Sequence, residues 1–98
     1  MLETDYRASR FCRVLGNPTA YQILKLLKKS ARTPTQLSEK VGVTLKTISA
    51  TLRNLRQINV VRYETQYKNK VYSLKDSSLL EILRYIEKYV DKMRVQKW

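Results

Sequence analysis

Hydrophobic positions along this chain recur at helical spacing, switch once to strand-like runs, and return to helical spacing, which divides the sequence into successive elements. Phe11, Val14 and Leu15, preceded by Tyr6, recur three and four residues apart and predict a helix over about 5–15. Gly16-Asn17-Pro18 stops it. A second helix is predicted over about 19–29, where Tyr21, Ile23, Leu24, Leu26 and Leu27 are interleaved with Gln22, Lys25 and Lys28. Its end, Lys28-Lys29, suits the negative pole of the helix dipole.

Thr33-Pro34-Thr35-Gln36 then supplies a capping hydroxyl, a proline at the first helical position and a glutamine where a capping box needs one. The short helix that starts there turns Leu37 and Val41 inward, and Gly42 provides the left-handed residue that ends it. A side chain at Gly42 is expected either to be strained or to block the approach of the next helix. Thr44 caps that next helix, about 45–57, with Ile48, Leu52 and Leu55 on one stripe and Lys46, Ala50, Arg53 and Gln57 on the other. Val60–Thr65 and Lys70–Leu74 read as a β-hairpin around Gln66-Tyr67-Lys68-Asn69, with Asn69 the candidate for positive φ. A closing helix over 78–94, with Ser78 and Glu81 as a capping box, carries a long stripe of Leu79, Ile82, Leu83, Ile86, Tyr89, Val90 and Met93. The order H-H-H-H-E-E-H is mainly α with a small hairpin: a winged helix-turn-helix, with the helix-turn-helix at 33–57 and the wing at 60–74.

Composition narrows the function. The 98 residues, 43% hydrophobic, bury one core and predict one domain, 1–98. Lys and Arg number 20 against 8 Asp and Glu, a formal +12, and the partner this favours is a polyanion, double-stranded DNA first. Residues 31–75 hold nine Lys or Arg against Glu39 and Glu64, a balance of +7, whereas the last 23 residues balance at +1. The charge therefore follows the helix-turn-helix and wing, and the closing helix suits a protein contact. Histidine is absent and Cys12 is the sole cysteine, so no disulfide, metal cage or cofactor is expected, and Cys12 reads as a small buried hydrophobe. With no phosphate-cradling glycine loop and only scattered carboxylates, no enzyme is expected. The acidic start of the chain and the lack of a long apolar run predict no membrane partner and a cytoplasmic, nucleoid-associated protein.

Leu15-Gly16-Asn17-Pro18 through Ile23-Leu24, then Leu37 to Thr44 and Thr47 to Leu52, resemble the ArsR-type family of bacterial and archaeal repressors. Val60-Val61-Arg62 and Val71 to Asp76 resemble that family's wing and its exit. The resemblance implies a homodimer joined through the first and last helices, presenting two recognition helices to successive major grooves. The seam residues would be Phe11 with Leu79, Ile82, Leu83, Ile86, Tyr89, Val90 and Met93, and the competing reading of that stripe is a helix folded back onto its own domain. Metal-sensing members carry Cys, His and carboxylate clusters that this chain lacks, so no metal is implied and any effector is open.

The candidate DNA-binding residues on the recognition helix are Thr44, Lys46, Thr47, Ser49, Ala50 and Arg53. Arg53 or Lys46 can donate to guanine O6 and N7, Thr47 and Ser49 can bond a base edge or a phosphate, and Ala50 fits a thymine methyl. Thr44 is first a cap, and its neighbouring amides can face a phosphate. On the wing the candidates are Arg62, Lys68, Asn69 and Lys70, a cationic finger for the backbone or the minor groove. The competing reading of Lys46 and Arg53 is an ordinary solvated helix face. At the level of the whole chain the alternatives are a sequence-indifferent architectural DNA binder and a protein-interaction winged helix. Tyr63, Tyr72, Tyr85 and Tyr89 read as structural, Tyr67 is the one tyrosine with a claim to stack on nucleic acid, and Trp98 is open between a free end and a partner contact.

Overall fold

The computed structural model describes residues 2–94; Trp98 lies outside them. Five helices and one hairpin follow in the order α1 (Glu3–Leu15), α2 (Pro18–Lys29), α3 (Pro34–Val41), α4 (Leu45–Gln57), β1 (Val61–Gln66), β2 (Asn69–Leu74) and α5 (Ser78–Arg94). This is the winged helix-turn-helix order predicted from the sequence. Ile23 and Leu24 of α2, Leu37 of α3, and Ile48, Leu52 and Leu55 of α4 are fully buried in one cluster. Val61 and Tyr72 of the hairpin and Leu79 and Leu83 of α5 close over it.

Local chemistry sets the helix ends. Asn17 caps α2 by accepting the Ala20 amide. Thr33 and Gln36 form the reciprocal capping box that starts α3, satisfying two of the amides a helix start leaves unpaired. Gly42 ends α3 at φ +82°, its N–H donating to the Ser38 carbonyl. A Cβ added there would meet nothing within 4 Å, so the expected steric block is absent and the left-handed backbone alone asks for glycine. The Ser38 hydroxyl donates to the Val43 carbonyl and pins the corner, after which Thr44 accepts the Thr47 amide and opens α4. Asn59, at φ 69°, turns the chain out of α4, a conformation asparagine enters more readily than most residues.

The wing departs from expectation at its tip. Its strands pair from Val61↔Leu74 to Gln66↔Asn69, leaving a two-residue loop of Tyr67-Lys68. Tyr67, at φ 57°, takes the left-handed position, and Asn69 is a paired strand residue. Register explains the exchange. With Val61 and Tyr72 committed to the core, the ladder runs one residue further on both strands than hydrophobicity suggests, and the tight turn falls on Tyr67. Arg32 adds a bridge, exchanging backbone hydrogen bonds of 3.0 and 2.8 Å with Tyr72, which fastens the α2–α3 connection to the wing.

α5 begins at Ser78, a helical residue and not the cap; the Asp76 carboxylate accepts the Ser78 amide, which holds that carboxyl below its usual range. Midway along, Glu87 receives Lys25 Nζ at 2.8 and 2.9 Å and the Tyr21 hydroxyl at 2.6 Å, clasping α5 to α2. The Lys25 and Tyr21 hydrogen bonds lower the Glu87 carboxyl pKa. Burial and the adjacent carboxylate push the Tyr21 phenol up to about 12. No described helix is long and apolar enough to cross a membrane.

Candidate nucleic-acid interface

α4 is amphipathic, and its second face is open. Ile48, Thr51, Leu52 and Leu55 point inward, while Lys46, Thr47, Ser49, Ala50 and Arg53 are all exposed. At ~100° per residue, Lys46, Ala50 and Arg53 share one outward stripe, Thr47 lies to one side of it and Ser49 to the other. The cap adds a small relay. Thr44 Oγ1 accepts the Thr47 amide at 3.2 Å and donates to Thr47 Oγ1 at 3.0 Å, which leaves the Thr47 hydroxyl proton free to point away from the protein. Thr51 turns its hydroxyl back to the Thr47 carbonyl at 2.8 Å and is no part of the open face.

The wing candidates Arg62, Lys68, Asn69 and Lys70 are exposed, and Tyr67 is 101% exposed at the tip. Lys70 does not stand alone: its ammonium lies 4.9 Å from the Tyr63 ring centroid, and the Arg56 guanidinium lies 4.8 Å from the same ring. Tyr63 in turn packs on buried Tyr72 with centroids 5.3 Å apart. Cations on an aromatic face are held in place without losing their charge, so this stack fixes two positive groups between the end of α4 and the wing. The residue pattern does not single out Arg56, because its role depends on a partner seven residues away across a bend. Leu45, apolar and half exposed at the first turn of α4, is equally silent in the sequence: only its exposure marks it, and a lone leucine at a helix start reads as core.

The seam candidates separate into three groups. Leu79 and Leu83 are buried in the chain's own core and cannot reach a partner, while Phe11 and Met93 are partly covered. Ile82, Ile86 and Val90 remain 45%, 41% and 41% exposed, and Tyr85 and Tyr89 are exposed beside them. An open trough of about 580 Å³ between α1 and α5 is lined by Phe11, Leu15, Ile82 and Ile86. Cys12 lines it too, exposed where burial was expected. Among the described residues no group of three or more His, Cys, Asp or Glu is placed to hold a metal.

Residues 17–63 match the family described as bacterial regulatory protein, arsR family. The chain carries an ArsR-family helix-turn-helix. The matched span runs from the α2 cap through α4 to Tyr63 of the wing, so it contains every α4 candidate. NolR from Sinorhizobium fredii is 28% identical, with a TM-score of 0.82 over 89% of this chain and 87% of its own. Two further structures share the fold: Rv0081 of M. tuberculosis, at 23% identity and a TM-score of 0.90 over 97% of this chain and 96% of its own, and the homodimeric winged helix-turn-helix DNA-binding domain of Mb0332 from Mycobacterium bovis, at 21% and 0.83 over 93% and 84%. No curated protein matches the chain.

Proposed function

We infer that this ArsR-family chain, a DNA-binding transcriptional regulator by its family, acts as a homodimer that reads a pseudo-palindromic duplex site. The carrying observation is the open stripe of α4: Lys46, Ala50 and Arg53 outward, behind a capped corner and beside a wing whose basic residues are free of carboxylate partners among the described residues. α4 enters the major groove with Arg53 or Lys46 on guanine, Thr47 and Ser49 on a base edge or phosphate, and Ala50 and Leu45 against thymine methyls. Thr44 and the first amides of α4 face a phosphate. Arg62, Lys68, Asn69 and Lys70 hold the backbone or the minor groove.

The dimer reading rests on Ile82, Ile86, Tyr89 and Val90, an apolar stripe on α5 that the chain itself leaves uncovered, next to the trough along α1. An apolar face of this kind, on the part of a +12 chain whose charges nearly cancel, favours a second copy over a polyanion. Selection of bound duplexes from a random pool tests the whole reading. An enriched inverted repeat with half-sites about one helical turn apart is expected; enrichment of nothing, with equal retention on bulk genomic DNA, would return the chain to the architectural class.

A further inference from the structure

The recognition helix has two flanks, and the wing occupies only one. At ~100° per residue, Ser49 and Arg56 lie toward the wing, where Arg56 stacks on Tyr63. Thr47, Thr51 and Asn54 lie on the opposite flank, and there α1, α2 and α4 enclose a groove of about 290 Å³. Arg10 and Arg13 of α1, Asn17 at the start of α2, and Asn54 and Gln57 of α4 supply its polar lining, which includes no carboxylate. Arg10 and Arg13 stand three residues apart on one helix, a like-charge spacing that weakens a helix. Among the described residues neither has an acidic partner. Asn17 spends its carbonyl oxygen on the Ala20 amide, which leaves its NH₂ to donate into the groove. The groove thus gathers uncompensated positive charge and side-chain amides able to donate, beside Val14, Ala20 and Thr51.

We propose that this groove binds a backbone phosphate of the duplex, on the rail of the major groove opposite the wing. The proposal rests on the reading of α4 as the recognition helix. A helix seated in a groove about 12 Å wide has a phosphodiester strand on each side of it. The wing and Arg56 meet one strand; Arg10 and Arg13 meet the other. Phosphate is the chemistry that relieves the Arg10–Arg13 repulsion, takes two guanidinium groups and accepts from the surrounding amides. The duplex, not a free anion, is the source, because the groove shares α4 with the open stripe.

The test compares the wild-type chain, the Arg10→Gln/Arg13→Gln double variant and Lys68→Ala on a selected duplex, titrated with salt. The double variant should flatten the slope of log affinity against log salt by about 2, at ~0.9 for each phosphate charge no longer neutralised. Because both side chains are exposed and their mutual repulsion is removed, its melting temperature should equal or slightly exceed the wild type's, and its mass in solution should match. Single neutral methylphosphonates walked along the duplex should weaken the wild type at one position per half-site and leave the double variant unaffected there. An unchanged slope in the double variant, while Lys68→Ala still flattens it, overturns the groove and spares the reading of α4. Failure of all three proteins to bind any duplex overturns both. Saturable competition by inorganic phosphate at constant ionic strength, dependent on Arg10 and Arg13 but without a slope change, would assign the groove to a small anion and overturn the proposal as well.

Discussion

At the scale of single residues, the structure separates conformational demands from steric ones. Gly42 sits in open space at φ +82°, so its replacement is a backbone question alone. Gly42→Ala should lower stability by about 1–2 kcal/mol and Gly42→Asn by less, since asparagine tolerates the left-handed region; equal losses in chemical denaturation would show that something other than φ fixes glycine there. On the proposed DNA face the side chains are expected to divide by role. Arg53→Ala should weaken the selected duplex by about 1–3 kcal/mol and relax preference at one base pair, whereas Lys68→Ala should weaken all sequences alike; anisotropy titrations on matched and substituted duplexes distinguish the two. Much of this scale is legible in the sequence. Thr33, Gln36, Gly42 and Thr44 act through neighbours three or four positions away, and such chemistry is written in the order of residues. Tyr67 is not legible, because its left-handed backbone is imposed by a register that burial of Val61 and Tyr72 sets at the far end of the hairpin.

Between elements, long-range pairings decide the arrangement, and these the periodicity does not reveal. Glu87 meets Lys25 and Tyr21 across more than sixty residues of chain, and nothing in the local pattern of α5 singles it out from Glu81. The Arg32–Tyr72 bridge and the Arg56–Tyr63–Lys70 stack are hidden for the same reason. The clasp has a pH signature. Glu87 is lowered by its folded-state partners, so its stabilisation is present above the ordinary carboxyl range and fades as pH falls through the lowered value. Tyr21 is raised, so its share is complete below the ordinary phenol value of 10.0 and is lost as pH rises toward about 12. Glu87→Gln should therefore cost stability at neutral pH, no more than about 1 kcal/mol for so exposed a pair, and the deficit should close in acid. A deficit that persists unchanged once the carboxyl is protonated in the wild type would assign the loss to packing.

For the molecule as a whole, charge and apolar surface are kept apart, with +7 on residues 31–75 and +1 on the last 23. Val90→Glu, on the uncovered stripe of α5, should leave the fold intact and give a monomer in sedimentation, with the inverted repeat bound only as separate half-sites; a persistent dimer would move the seam elsewhere. The winged architecture is readable because α2, α3 and α4 carry their own start signals and the strands their own composition, while the use of its outer faces is only partly so: Leu79 and Leu83 belong to the same periodic stripe as Ile82 and Ile86, yet they are consumed by the chain's own interior. The homodimer proposed on that uncovered strip of α5 would carry a dependence on abundance. A reader assembled from two copies that are mostly apart would fill its site with the square of the amount of chain present, so a modest rise in synthesis would become a steep onset of occupancy, its sharpness set by a few aliphatic side chains outside the proposed DNA face.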